Sequence, residues 1–164
     1  MYAETIDIYR YSELSEEAKE VAYKEWTPDY AFEADNRRTL EAFCDAFGIE
    51  VYGYEYDSYC HSFQWRAKNE GDEEITGEEL KEYVRHRSSL FEPTGFYLDG
   101  VILGPAKLPT EGKDLGDVVN ECLKAFFEAC SEDVKYSQSQ EYFADFAENN
   151  EFEFYSNGIR IRHR

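Results

Sequence analysis

Self-repulsion is the constraint that any fold of this chain has to overcome. Thirty-six Asp and Glu face 17 Lys and Arg over 164 residues, a formal charge of −19. Charge of one sign at that density opposes compaction, so burial elsewhere has to offset it. The means are present: aromatic residues make up 17% of the chain, with 14 Tyr and 12 Phe. Acidic chains that stay disordered lack such a load. The expectation is a folded, soluble, acidic protein forming one globular domain, residues 1–164.

Several function classes lose support at this level. No run approaches the roughly 18–20 apolar residues that cross a bilayer. Met1-Tyr2-Ala3-Glu4 lacks the basic start and apolar stretch of a secretory signal, so the expected compartment is the cytoplasm. Cys44, Cys60, Cys122 and Cys130 form no C-x-x-C pair and read as reduced thiols. His61, His86 and His163 are scattered, which gives neither zinc spacing nor a general-base motif. No phosphate loop, dinucleotide fingerprint or nucleophile elbow occurs. The expectation is therefore no catalytic residues, no metal and no cofactor.

Charge is uneven along the chain. Residues 1–58 hold 15 acids and 5 bases, residues 59–113 hold 10 and 7, and residues 114–164 hold 11 and 5. Arg85-His86-Arg87 is the most basic island. A body this acidic repels nucleic acid, so direct nucleic-acid binding is not expected.

Periodicity predicts the elements. Thr5–Tyr11 alternates as a strand with Ile6 and Ile8 on one face. Ser12 or Ser15 caps a helix carrying Leu14, Ala18, Val21 and Ala22, with Glu16 and Glu17 at its positive end. A second helix over about 30–47 carries Leu40, Phe43, Cys44 and Phe47 and stops at Gly48. Residues 49–66 read as two strands, one with Tyr52, Tyr54 and Tyr56 on a common face, the other with Tyr59, His61, Phe63 and Trp65. Residues 69–74 read as a solvated loop. Thr76-Gly77-Glu78-Glu79 reads as a capping box before Leu80, Tyr83 and Val84. Residues 96–110 fit either a tight hairpin or an irregular segment entering a short helix.

Asp114 caps the clearest helix, with Leu115, Val119, Cys122, Leu123, Phe126 and Cys130 on one face. A last helix starts near Ser139 with Tyr142, Phe143, Phe146 and Ala147. Asn157-Gly158 signals a two-residue type I′ hairpin. That register pairs Phe154 with Ile161, Glu153 with Arg162, Tyr155 with Arg160 and Glu151 with Arg164. The fold class is α+β: a small, mostly antiparallel sheet with four or five helices packed on one face.

Several blocks carry a family resemblance: Tyr11-Ser12-Glu13-Leu14-Ser15-Glu16-Glu17-Ala18-Lys19, Phe47-Gly48-Ile49-Glu50, Thr94-Gly95-Phe96-Tyr97, Tyr142-Phe143-Ala144-Asp145, Asn150-Glu151-Phe152-Glu153-Phe154 and Asn157-Gly158. Together they resemble a family of small acidic bacteriophage and prophage proteins. The family has a Gly/Asp-rich stretch after its first strand pair, where this chain reads Tyr59-Cys60-His61-Ser62-Phe63-Gln64-Trp65. The resemblance implies a phage setting and brings no catalytic residues with it.

Two surfaces are candidates for function. Glu13, Glu16, Glu17, Glu20 and Glu25 form an acidic N-terminal face. Tyr52, Tyr54, Tyr56 and Tyr59, with Glu55 and Asp57, form an aromatic and anionic one. The first suits a phage-encoded inhibitor of a bacterial defence system, of anti-CRISPR or anti-restriction type. It would bind a host protein with a basic nucleic-acid channel stoichiometrically, as a nucleic-acid mimic. The second suits a structural, assembly or interaction module. An enzyme without a recognisable motif is the third class.

Overall fold

The computed structural model describes residues 5–162. Its elements are α1 (Glu16–Glu25), α2 (Glu33–Phe47), β1 (Ile49–Tyr56), β2 (His61–Ala67), α3 (Gly77–Ser89), α4 (Leu98–Leu103), α5 (Leu115–Ser137), α6 (Gln140–Asn149), β3 (Glu153–Phe154) and β4 (Arg160–Ile161). The class is α+β, with six α-helices among the described residues. The strands form two separate antiparallel pairs, β1–β2 and β3–β4, rather than one shared sheet. Tertiary contacts divide the chain into two compact units, residues 1–30 with 135–164, and residues 31–134.

In the 31–134 unit, α5 supplies the central apolar stripe. Leu115, Val119, Cys122, Leu123, Phe126 and Cys130 are all buried, as their spacing predicts. Asp114 starts this helix reciprocally: its Oδ1 accepts the Asp117 N–H (2.8 Å), and Asp117 Oδ2 accepts the Asp114 N–H (3.0 Å). α2 contributes Leu40, Phe43 and Phe47 and ends at Gly48, whose φ of +65° is the left-handed termination. α3 adds Leu80 and Val84.

The 69–74 segment is not wholly irregular, since Asp72–Glu74 forms a 3₁₀ turn. The capping box at Thr76 does not form: its side chain makes no cap hydrogen bond. The Thr76 backbone is held instead in an antiparallel bridge with Asp114. Residues 96–110 resolve into α4 and a 3₁₀ turn, Gly104–Lys107. Asp99 organises the approach to α4, accepting N–H bonds from Thr94 (2.8 Å) and Gly95 (3.0 Å).

In the other unit, Ser15 Oγ caps α1 by accepting the Ala18 N–H (3.1 Å), and Ser139 Oγ caps α6 through the Tyr142 N–H (3.1 Å). Tyr11, Leu14, Ala18, Ala22, Phe143, Ala147 and Phe154 form its core. The expected strand over 5–11 is reduced to one bridge, Tyr9 with Phe154. Ile6 and Ile8 are 59% and 53% exposed, and residues 5–8 lie outside any strand.

The C-terminal hairpin turns one residue differently from the Asn-Gly expectation. Tyr155 N–H bonds Ile159 O (2.9 Å), leaving Ser156, Asn157 and Gly158 as a three-residue loop with Gly158 at φ +90°. Glu153 thus faces Ile161 and Phe154 faces Arg160. A slip of one residue exchanges the faces, so the expected Glu153–Arg162 and Tyr155–Arg160 pairs do not form. The expected Glu151–Arg164 pair falls on Arg164, outside the described residues, as does His163. Glu151 lies 3.8 Å from Arg10 instead.

Candidate functional site

All five carboxylates of the N-terminal face, Glu13, Glu16, Glu17, Glu20 and Glu25, are exposed. Two are engaged locally: Glu13 Oε1 accepts the Arg10 N–H (2.8 Å), and Glu16 lies 3.5 Å from Lys19 Nζ. Lys19 and Lys24 interrupt the series, leaving five acids and two bases over residues 13–25. Along α1 itself, nine residue steps at ~1.5 Å each span ~14 Å. One DNA strand carries about four charges over that length. The helix carries a net of two, Glu16, Glu17, Glu20 and Glu25 against Lys19 and Lys24.

The tyrosine face is rearranged by a β-bulge. Val51 pairs with Trp65 and Gly53 with Gln64, so Tyr52 is the extra residue on β1. An inserted residue shifts the alternation by one. Val51, Tyr54 and Tyr56 therefore pack inward with the core, while Tyr52 turns outward, 56% exposed. Tyr54 and Tyr56 lie parallel (8° between planes), and both contact Phe127, at 5.3 and 6.2 Å. Tyr52 lies 5.3 Å from the Arg66 guanidinium.

Tyr56 donates its hydroxyl to Glu33. Burial, then that bond, pushes the phenol well above its ordinary value, so it stays protonated. Asp57 is a turn former: its Oδ1 accepts the N–H groups of Tyr59 (2.7 Å) and Cys60 (2.8 Å), which hold its carboxyl below the ordinary range. Tyr59, at the tip, is 95% exposed. Glu55 is exposed on the outer face. The predicted ladder is thus an inward pair, Tyr54 and Tyr56, and two outward residues, Tyr52 and Tyr59, separated by the bulge and the turn.

His61 lines a cleft of about 410 Å³ with Glu33, Tyr56 and Cys60. Asp57 raises the Cys60 thiol above its ordinary value, the opposite of nucleophile activation. Among the described residues, no three His, Cys, Asp or Glu side chains are grouped to hold a metal ion. No helix there is long and apolar enough to cross a membrane.

A denser acidic surface lies where the sequence reading expected only a solvated loop and a helix start. Residues 70–79 hold six carboxylates (Glu70, Asp72, Glu73, Glu74, Glu78, Glu79) and no base. The Thr76–Asp114 bridge and the Leu115 N–H to Ile75 O bond (2.9 Å) bring Asp114 and Asp117 beside them. All eight are exposed or half-buried. Arg66 and Lys68 share the adjoining cleft of about 700 Å³ but are ion-paired to Glu50 (2.9 Å) and Asp45 (3.9 Å). The sequence signal was the base-free run itself; the juxtaposition with Asp114 and Asp117 spans about forty residues and has no local signature.

A cavity of about 560 Å³, with no local signature in the sequence, lies in the unit formed by residues 1–30 and 135–164. Trp26 and Phe146 are among its walls, and Arg160 and Arg162 line it. No protein-family model, curated protein or solved structure matches this chain.

Proposed function

We propose that this chain is a stoichiometric binding protein whose acidic surface docks on a basic, nucleic-acid-handling partner. In the phage setting that the family resemblance implies, the partner is a protein of a host defence system, inhibited while its channel is occupied. One observation carries the reading: the Thr76–Asp114 bridge sets the base-free run 70–79 beside Asp114 and Asp117, and the two bases of the adjoining cleft, Arg66 and Lys68, are ion-paired to Glu50 and Asp45. Such a surface repels nucleic acid and attracts proteins that hold it. It favours this part of the chain over the diluted N-terminal face as the electrostatic footprint.

The test is capture from bacterial lysate with the intact chain, beside two charge-reversed variants. Reversal at the dense surface uses Glu74→Lys, Glu78→Lys and Glu79→Lys; reversal at the N-terminal face uses Glu17→Lys and Glu20→Lys. Recovery of a basic nucleic-acid-binding protein is expected, falling steeply between about 50 and 300 mM salt. The first variant loses it and the second retains most of it. Recovery of no such protein from hosts carrying defence nucleases sinks the proposal.

A second reading rests on the β1–β2 hairpin, whose outward Tyr52 and fully presented Tyr59 suit an assembly or interaction partner. Capture through that surface changes little with salt and is lost in Tyr59→Ala.

A further inference from the structure

The cavity beside α1 and α6 combines three kinds of chemistry in one compact unit. Its floor is aromatic. Trp26 packs on Phe143, with centroids 4.9 Å apart and planes at 31°, and lies 6.0 Å from Phe146. Trp26 and Phe146 are only half-buried, so both retain exposed ring surface at the cavity.

One wall is cationic. The guanidinium carbon of Arg160 sits 3.4 Å from the Phe152 ring centroid, which fixes its plane. Arg162 follows two residues later and lines the same cavity. Both arginines are exposed, and partial desolvation and the neighbouring Arg162 charge lower the Arg160 pKa. Glu25 and Asp29 line the cavity too, yet neither arginine makes an ion pair with an acid among the described residues. In a chain of 36 acids, two neighbouring arginines with no carboxylate partner among the described residues are a place where an incoming anion relieves repulsion.

We propose that this cavity binds a nucleoside monophosphate or a ligand of the same chemistry, a planar base joined through a sugar to phosphate. Arg160 and Arg162 take the phosphate through their N–H groups. Trp26 stacks on the base, a contact worth about 1–3 kcal/mol per base in proteins that use it. Glu25 and Asp29 accept from sugar hydroxyls or a base amino group, as acidic residues do in dinucleotide sites. A volume of about 560 Å³ is that of a small-molecule site. The inference is independent of the acidic-surface reading, which concerns residues 70–79 and 114–117.

The experiment is titration of the intact chain with AMP, followed by calorimetry and by Trp26 fluorescence in a Trp65→Phe background. Adenosine, inorganic phosphate and free tryptophan serve as comparators. AMP is expected to bind and quench Trp26, with adenosine and phosphate each weaker by roughly tenfold or more. Arg160→Ala and Arg162→Ala each weaken AMP by a similar factor, while thermal melts confirm that both variants fold. Arg160→Lys, which keeps the charge but not the flat stack, recovers only part of the loss. Should either alanine variant fail to fold, the other variant and the wild-type comparators decide.

Absence of heat and quenching up to about 10 mM AMP overturns the proposal. So does adenosine or phosphate binding as tightly as AMP, tryptophan binding more tightly, or AMP affinity unchanged in the folded arginine variants.

Discussion

Replacing Gly158 with alanine tests the seating of the C-terminal hairpin on α1. Gly158 adopts φ +90°, and a Cβ built there falls 2.9 Å from the Ala18 carbonyl carbon and 3.1 Å from its Cα, with the carbonyl oxygen nearer still. Ala18 is only 3% exposed and lies in the first turns of α1, so the obstacle is backbone that cannot swing aside. A left-handed residue with a Cβ costs about 1–2 kcal/mol, and forcing the hairpin away from packed neighbours costs about 1–3 kcal/mol. The sum is about 2–5 kcal/mol, against a loss of about 2–4 °C per kcal/mol for a chain of this length.

The assay is thermal and urea unfolding, followed by near-ultraviolet circular dichroism and Trp26 fluorescence in a Trp65→Phe background. Gly158→Asn separates the two contributions. Asparagine tolerates the left-handed region but carries the same Cβ, so it recovers at most the conformational part. A Gly158→Ala loss below about 1 kcal/mol refutes the reasoning, and so does an asparagine variant as stable as wild type.

Four further outcomes are expected. Phe127→Ala empties a fully buried position that touches Tyr54, Tyr56, Phe63 and Phe126; the expected cost is about 3–5 kcal/mol by urea titration, and a cost below half of that removes Phe127 from the centre of the core. In the native state one thiol of four reacts with an aromatic disulfide reagent: Cys60 is exposed, Cys44 is pushed up to about 11, and buried Cys122 and Cys130 to about 12. Asp57→Asn accelerates Cys60 by removing the charge that raises its pKa, and an unchanged rate contradicts that cause.

Asp57 is held low by the Tyr59 and Cys60 N–H groups, and Glu148 chiefly by the Ser12 N–H. Both folded pKa values lie below the unfolded ones, so their stabilisation is complete above the ordinary carboxylate range and is lost as pH falls through the lowered values. Urea midpoints measured downward from about pH 6 should fall less in the Asp57→Ala, Glu148→Ala double variant than in wild type; parallel profiles contradict the assignment.

Most features fixed within one or two helical turns were legible in the sequence; the Thr76 capping box was the exception, its backbone being taken into the bridge with Asp114. The α5 stripe, the Ser15 and Ser139 caps and the Asp114 start rest on side chains three or four residues from their partners, and the Gly48 stop rests on a backbone without a Cβ at φ +65°; propensity and sterics act at that range. Features that depend on counting residues across a pairing were not. One extra residue at Tyr52 turned Tyr54 and Tyr56 inward, and one extra loop residue before Ile159 exchanged the faces of the C-terminal hairpin. Alternation gives a strand's period but not its phase, and the phase is set by the partner strand.

Both candidate sites lie further from what a linear reading reaches. The sequence by itself determined an acidic, aromatic-rich α+β protein, because composition and local periodicity belong to the chain. Only the tertiary structure decided that Asp114 joins the run at 70–79, and that Arg160 and Arg162 meet Trp26 at a cavity. Those meetings depend on long-range backbone pairing and helix packing, whose free energy comes from groups brought together only when the chain closes on itself.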